Sequence, residues 1–171
     1  MPIVAMSALA LLGLSWALLP AAAQAGLIIT TRSGTECVKL NDPTPDIQYS
    51  ATGAYNNAMS TVTYACPVDA HFLSTDTSYY FDTAYWWAYV DDNNASGNVT
   101  CQLNSCTDTG TCTSSVTRSS TGVANNQLLS TVGTVFNIGT YTNALFLCCT
   151  VPAKVGANRS GIRKYTTYTF D

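Results

Sequence analysis

Charge is what this chain has least of. Asp, Glu, Lys and Arg make up 10% of its 171 residues, Glu occurs once (Glu36), and the seven Lys and Arg are scattered. Nucleic-acid binding needs a basic stripe, so that class is excluded. Histidine is limited to His71, and no Gly-x-Ser-x-Gly turn accompanies it, so a Ser-His-Asp triad has no local signature and His71 reads as a solvated loop residue. Glycosidases need two opposed carboxylates, yet the nine Asp fall largely in turns and Glu36 stands alone. The residues that build helices (Glu, Lys, Ala, Leu) are thin beyond the first 25 positions. Thr, Ser, Tyr and Val replace them, and these suit a pleated, half-buried surface.

Only one long apolar run exists. Met1 to Leu19 is almost wholly apolar, Pro20 breaks it, and Ala23-Gln24-Ala25 supplies the small-x-small pattern of a signal-peptidase site. The expected signal peptide is 1–25, leaving one β-sandwich domain over 26–171 and no membrane span after processing. The first Lys or Arg is Arg32, so the leader lacks a basic start, and an uncleaved anchor is the competing reading. Export to the periplasm or outside the cell places the cysteines in an oxidising compartment.

Strand candidates then recur at short spacing: Leu27–Arg32, Cys37–Leu40, Ile47–Ser50, Thr61–Val68, Tyr79–Val90, Asn98–Asn104, Thr111–Thr117, Leu128–Asn137, Tyr141–Val151 and Ile162–Phe170. Gly53 to Asn57 reads as a turn, as do Asp91 to Gly97 and the tight Thr109-Gly110 hairpin. This pattern, with no helix between strands, predicts an all-β fold, an antiparallel sandwich of jelly-roll or immunoglobulin-like type behind an N-terminal signal helix. Three Asn-x-Ser/Thr triplets (Asn94, Asn98, Asn158) are no more than chance supplies.

Seven cysteines follow the leader. Alternation puts Leu145, Leu147, Cys149 and Val151 on one face, with Val99, Cys101 and Leu103 facing inward likewise, so Cys101–Cys149 is a plausible core bridge. Cys106 and Cys112 straddle the hairpin and can clip it; zinc ligation is the weaker alternative for that pair. Cys37–Cys66 ties the first strands together, and Cys148 is left as a thiol. Redox use of Cys148-Cys149 is disfavoured because neighbours on a strand point to opposite faces. Each bridge contributes about 2–4 kcal/mol, least for the short hairpin.

Cys66-Pro67 after an alternating strand, Tyr89-Val90-Asp91, Cys101-Gln102-Leu103, Cys149-Thr150-Val151-Pro152 and Ile162-x-x-Tyr165 together resemble small secreted bacterial β-sandwich proteins of unassigned function. The resemblance implies the fold and no activity. Cys106, Cys112 and Cys148 stand outside its pattern.

Two features bear on function. In Thr83–Val90, Ala84, Trp86, Ala88 and Val90 suit a core, while Tyr85, Trp87 and Tyr89 form the opposite stripe. Such a stripe can stack on sugar rings, since an aromatic face is apolar while its hydroxyl or indole N–H bonds sugar hydroxyls. The competing reading makes it core. Asp91, Asp92 and Asn93, with Asn94 following and Asp82 near the strand's other end, offer oxygens of the kind calcium takes, or simply an Asx-rich turn. The sequence thus points to a secreted, non-enzymatic interaction protein that binds glycan or cell-surface material, with no other cofactor implied. The alternatives are a self-assembling subunit of an extracellular layer or filament, and a secreted hydrolase.

Overall fold

The computed structural model describes residues 27–40, 47–68, 83–107, 109–131 and 144–170. The expected signal peptide 1–25, together with His71, Tyr79, Tyr80 and Asp82, lies outside these residues. Twelve strands are described: β1 (Leu27–Ser33), β2 (Val38–Lys39), β3 (Ile47–Ser50), β4 (Gly53–Asn56), β5 (Val62–Pro67), β6 (Thr83–Asp92), β7 (Thr100–Cys106), β8 (Cys112–Ser114), β9 (Arg118–Ser119), β10 (Ala124–Ser130), β11 (Ala144–Val151) and β12 (Gly161–Phe170). A single 3-10 turn, Gly34–Glu36, joins β1 to β2. None of the described segments is a helix long and apolar enough to cross a membrane.

The strands form two antiparallel sheets. The first runs β10-β6-β12-β4-β3, with β1 also on β12; the second runs β2-β5-β11-β7-β8, with β9 also on β7. The alternating positions of each strand meet in one core. Val62, Tyr64, Cys66, Cys101, Leu103, Leu145, Leu147, Cys149 and Val151 come from the second sheet, and Trp86, Ala88, Val90, Leu129, Ile162 and Tyr165 from the first. This is the expected disulfide-stapled antiparallel β-sandwich.

Polar anchors join the layers where the core needs them. Trp86 is fully buried, and a buried indole N–H needs an acceptor. It donates to Ser115 Oγ at 3.1 Å, and the same oxygen accepts the Leu103 amide at 2.8 Å. Ser115 turns inward for this, so of the expected strand Thr111–Thr117 only Cys112–Ser114 is strand (β8), and β9 starts beyond it at Arg118. Asn56, also fully buried, donates to Val151 O at 3.1 Å and Pro152 O at 2.9 Å, while its Oδ1 accepts the Ala58 amide at 2.8 Å. Tyr165 Oη donates to Pro67 O at 2.6 Å.

Two boundaries differ from expectation for physical reasons. Gly53–Asn57 was expected to turn, but Gly53–Asn56 is β4, paired with β3 and with Gly161–Ile162 of β12. Gly53 is there for close approach: a Cβ would fall 2.2 Å from Ile162 O. β10 begins at Ala124 rather than Leu128, because Asn126 takes a positive φ of 57° and the register shifts between Ala124 and Gln127. Asn accepts that conformation more readily than most residues, so the strand passes through its own irregularity.

All three disulfides form as the faces predicted: Cys37–Cys66, Cys101–Cys149 and Cys106–Cys112, leaving Cys148 free. Each links directly opposed neighbours within the second sheet, as the registers Cys101↔Cys149, Cys106↔Cys112 and Val38↔Ala65 require. Along the path β2-β5-β11-β7-β8, only the central β5–β11 ladder lacks one.

Candidate functional site

The pleat of β6 sends its side chains to opposite faces. Trp86, Ala88 and Val90 are fully buried, while Tyr85, Trp87 and Tyr89 are half-buried on the outer face of the first sheet. The expected division of this strand into core and stripe is therefore realised. Rows across the sheet follow from register: Tyr85 lies beside Tyr168, Trp87 beside Thr166 and Ser130, and Tyr89 beside Lys164 and Leu128. On the far side of β12, Ile29 and Thr31 continue these rows.

The rings pack on one another as well as facing out. Tyr85 stacks on Tyr168 with centroids 4.5 Å apart and planes 15° apart, and Trp87 meets Tyr168 edge-on at 4.6 Å and 63°. Tyr168, which sequence reasoning did not single out, is thereby the buried keel of the cluster. Partial desolvation, and then the Tyr85 phenol, push its hydroxyl above the ordinary tyrosine range. At the other end of the stripe the Lys164 ammonium sits 4.7 Å from the Tyr89 ring centroid, a cation-π geometry. Thr31 and Thr166 share a hydroxyl hydrogen bond of 2.8 Å beside Trp87.

Beyond Tyr89 the same outer face leads to Asp91 and into a cleft of about 400 Å³ lined by Gln48, Ser50, Thr52, Tyr55, Asn93, Asn125, Ala157, Asn158 and Arg159. Amides, hydroxyls, one aromatic ring and one guanidinium line it, with no carboxylate in the wall. Asp91 is nine-tenths buried beside it, and three partners hold it. Tyr55 Oη donates to Oδ2 at 2.9 Å, the Asn126 amide donates to Oδ1 at 2.7 Å, and Arg163 Nη1 lies 3.7 Å from Oδ1. Burial, more than any single neighbour, raises the Tyr55 phenol above its usual range. Arg159 is steadied by Nε donation to Asn57 Oδ1 at 2.9 Å.

The irregularity in β12 matters here. Register slips between Ile162 and Lys164, and such a bulge re-aims side chains. Arg163 reaches Asp91 while Lys164 covers Tyr89, so two consecutive cations serve one face.

The residues considered for calcium do not converge. Asp91 faces outward with the partners above. Asp92 points the other way, fully buried, accepting from Ser120 Oγ, from Ser160 Oγ at 3.3 Å and from the Asn94 amide at 3.1 Å. Asn93 Nδ2 donates to Arg159 O at 2.7 Å, and the Asn93 amide donates to Ser160 Oγ at 2.8 Å. The segment ties the β6–β7 connection to the loop before β12. Among the described residues no three His, Cys, Asp or Glu side chains gather as a metal site would require.

Sequence reasoning missed Tyr55, Arg159 and Lys164 as well as Tyr168. Alternation in β12 gave one signal, since Lys164, Thr166 and Tyr168 lie opposite the inward Tyr165 and Thr167. The cleft gave none: its residues come from four separate stretches of chain, 48–55, 93, 125 and 157–159.

The fold and site define an antiparallel β-sandwich with an aromatic outer face and a polar cleft at one end. No family model and no curated protein matches the sequence. Among solved structures, the chain is similar to a xylan-binding module, CBM15, at 12% identity with a TM-score of 0.49, over 84% of this chain and 97% of the other.

Proposed function

We propose that this is a secreted, non-enzymatic glycan-binding protein whose platform is the outer face of the first sheet, with Tyr85, Trp87 and Tyr89 as the stacking residues. One observation carries the reading: three aromatic side chains on alternate positions of β6 face solvent, where a fourth, Tyr168, holds two of them in place. A pre-positioned ring loses little rotamer freedom when a sugar stacks on it, which is the main cost a flexible side chain would carry. Aromatic area gathered on one face of a soluble domain is the kind of patch that marks an interaction site.

Two further features support it. Three disulfides suit an oxidising, extracellular or periplasmic setting. The carboxylates among the described residues each serve a structural partner, Glu36 with Arg32 and Asp91 and Asp92 as above, which favours binding over acid–base chemistry.

The test is a glycan array with the protein starting at Gly26, followed by the same array with Trp87→Ala. Retention of a defined glycan class, lost in the variant while the melt stays cooperative, supports the reading. Binding unaffected by the substitution removes the platform. Concentration-dependent assembly with no glycan retention would favour the layer or filament subunit instead.

A further inference from the structure

The cations of this face have an uneven arrangement. Among the described residues the ion pairs are Arg32 with Glu36 and Arg163 with Asp91. None of the three described carboxylates pairs with Lys154, Arg159 or Lys164. Lys154 Nζ and Arg159 Nε both turn to the neutral Asn57 Oδ1, at 3.4 and 2.9 Å. Lys164 rests on the Tyr89 ring. Positive charge is thus collected at one end of the stripe and satisfied by neutral groups, in a chain whose net charge is −3.

Those neutral partners are weak ones. A cation on an exposed aromatic ring gains roughly 0.5–1 kcal/mol, whereas a carboxylate offers charge-assisted hydrogen bonds about twice as strong as neutral ones. Arg159 is fixed through Nε, which leaves the terminal nitrogens of its planar fork for a planar anion, the geometry that suits a carboxylate. Lys164 adds a second consideration. It covers the Tyr89 face that a sugar would stack on, so any ligand must displace the ammonium. A ligand bearing its own carboxylate replaces the lost ring contact; a neutral sugar does not. The cleft and the stripe lie along one strand, Asp91 at the cleft following Tyr89, Trp87 and Tyr85 at two-residue steps. At 3.3–3.4 Å per residue that track is roughly 20 Å long, which accommodates several sugar rings in line.

We propose that the ligand of this face is an acidic polysaccharide, one carrying uronic-acid carboxylates, and that Arg159 in the cleft and Lys164 beside Tyr89 receive those carboxylates. The proposal rests on the glycan-binding reading above and names its ligand class. An overall acidic chain repels a polyanion at long range, so binding of one must come from these local cations rather than from net charge.

The experiment compares affinity electrophoresis and calorimetry on polygalacturonate, alginate and hyaluronate with the same three polymers after carboxyl reduction, alongside a panel of neutral polysaccharides. At least one uronate polymer should be retained, with affinity falling about tenfold or more on carboxyl reduction and falling again with added salt. Lys164→Gln and Arg159→Gln should each weaken retention while Lys164→Arg restores it. Because Arg159 also holds Asn57, Arg159→Lys and thermal melts separate lost charge from lost folding. Equal retention of native and reduced polymers overturns the acidic selectivity and leaves the glycan platform standing. Retention of a uronate polymer that survives both Gln substitutions overturns the residue assignment. No retention of any polysaccharide, neutral or acidic, overturns both readings together.

Discussion

The ring of Tyr55 lies across Gly161: a Cβ on Gly161 would fall 2.6 Å from Tyr55 Cδ1 and 2.9 Å from Cγ. Tyr55 and Asp91 flank Gly161 on the two neighbouring strands, and the missing side chain lets the phenol reach over β12 to the carboxylate. A glycine in a strand interior weakens the strand. Here it opens the path for the hydrogen bond beside the cleft.

Gly161→Ala should therefore cost about 1–3 kcal/mol through overpacking, with loss of the Tyr55–Asp91 bond. Tyr55→Phe should cost only about 0.5–1.5 kcal/mol, since Asp91 keeps two other partners. Denaturant melts of the pair check the ordering; equal losses would show that the ring is not held across Gly161.

The two adjacent tryptophans should behave oppositely. Trp86→Ala empties a fully buried site and removes one of the two donors to Ser115 Oγ, costing about 3–5 kcal/mol. Trp87→Ala removes a half-buried ring and should cost roughly half as much or less. Melting temperatures of the two variants measure the difference, and glycan retention should be lost only where the fold survives, in Trp87→Ala.

Tyr64 predicts an alkaline limit. Its hydroxyl is buried without a hydrogen-bond partner, and burial first, then the Tyr49 phenol, raise its pKa well above the ordinary value. A raised folded-state value means the neutral phenol is favoured in the fold. That contribution is whole below about pH 10, the unfolded tyrosine value, and declines as pH climbs toward the folded value. Tyr64→Phe should be neutral or stabilising by about 1 kcal/mol at pH 7 and should flatten the alkaline limb in stability-versus-pH curves.

Cys148 should be the single site alkylated without reduction. It is half-buried, and that burial raises its thiol pKa, so reaction in the native state should be slow near neutrality and accelerate with pH, because the thiolate is the nucleophile. Rapid labelling of one site on unfolding, and slow labelling before it, is the expected mass-spectrometric pattern. Labelling at several sites would contradict the three bridges.

Inward faces and disulfides were legible because both depend on period-two alternation, which Val62-Tyr64-Cys66, Cys101-Leu103 and Leu147-Cys149 display without help from context. The split of β6 into a buried Trp86 face and an outward Trp87 face was readable in the same way. What escaped was everything that depends on close approach between distant segments. Gly53-Ala54-Tyr55-Asn56 carries turn chemistry, yet pairing with β12 overrides it. The β12 bulge that aims Arg163 and Lys164 to one side breaks the alternation a reader would count. Tyr55, Asn125 and Arg159 share a cleft only because β4, β10 and the loop before β12 end at one rim of the sheet.

The placement of the cross-links divides the molecule mechanically. All seven cysteines lie in or beside strands of the second sheet, so three of its four successive ladders are covalently closed. The first sheet carries no covalent cross-link, and Leu27 and Phe170 sit opposite each other at the end of its β1–β12 ladder. Tension applied across those two residues loads the hydrogen bonds one after another, so β1 peels away at low force like an opening zipper. The stapled sheet, loaded only afterwards, is the part that keeps its length.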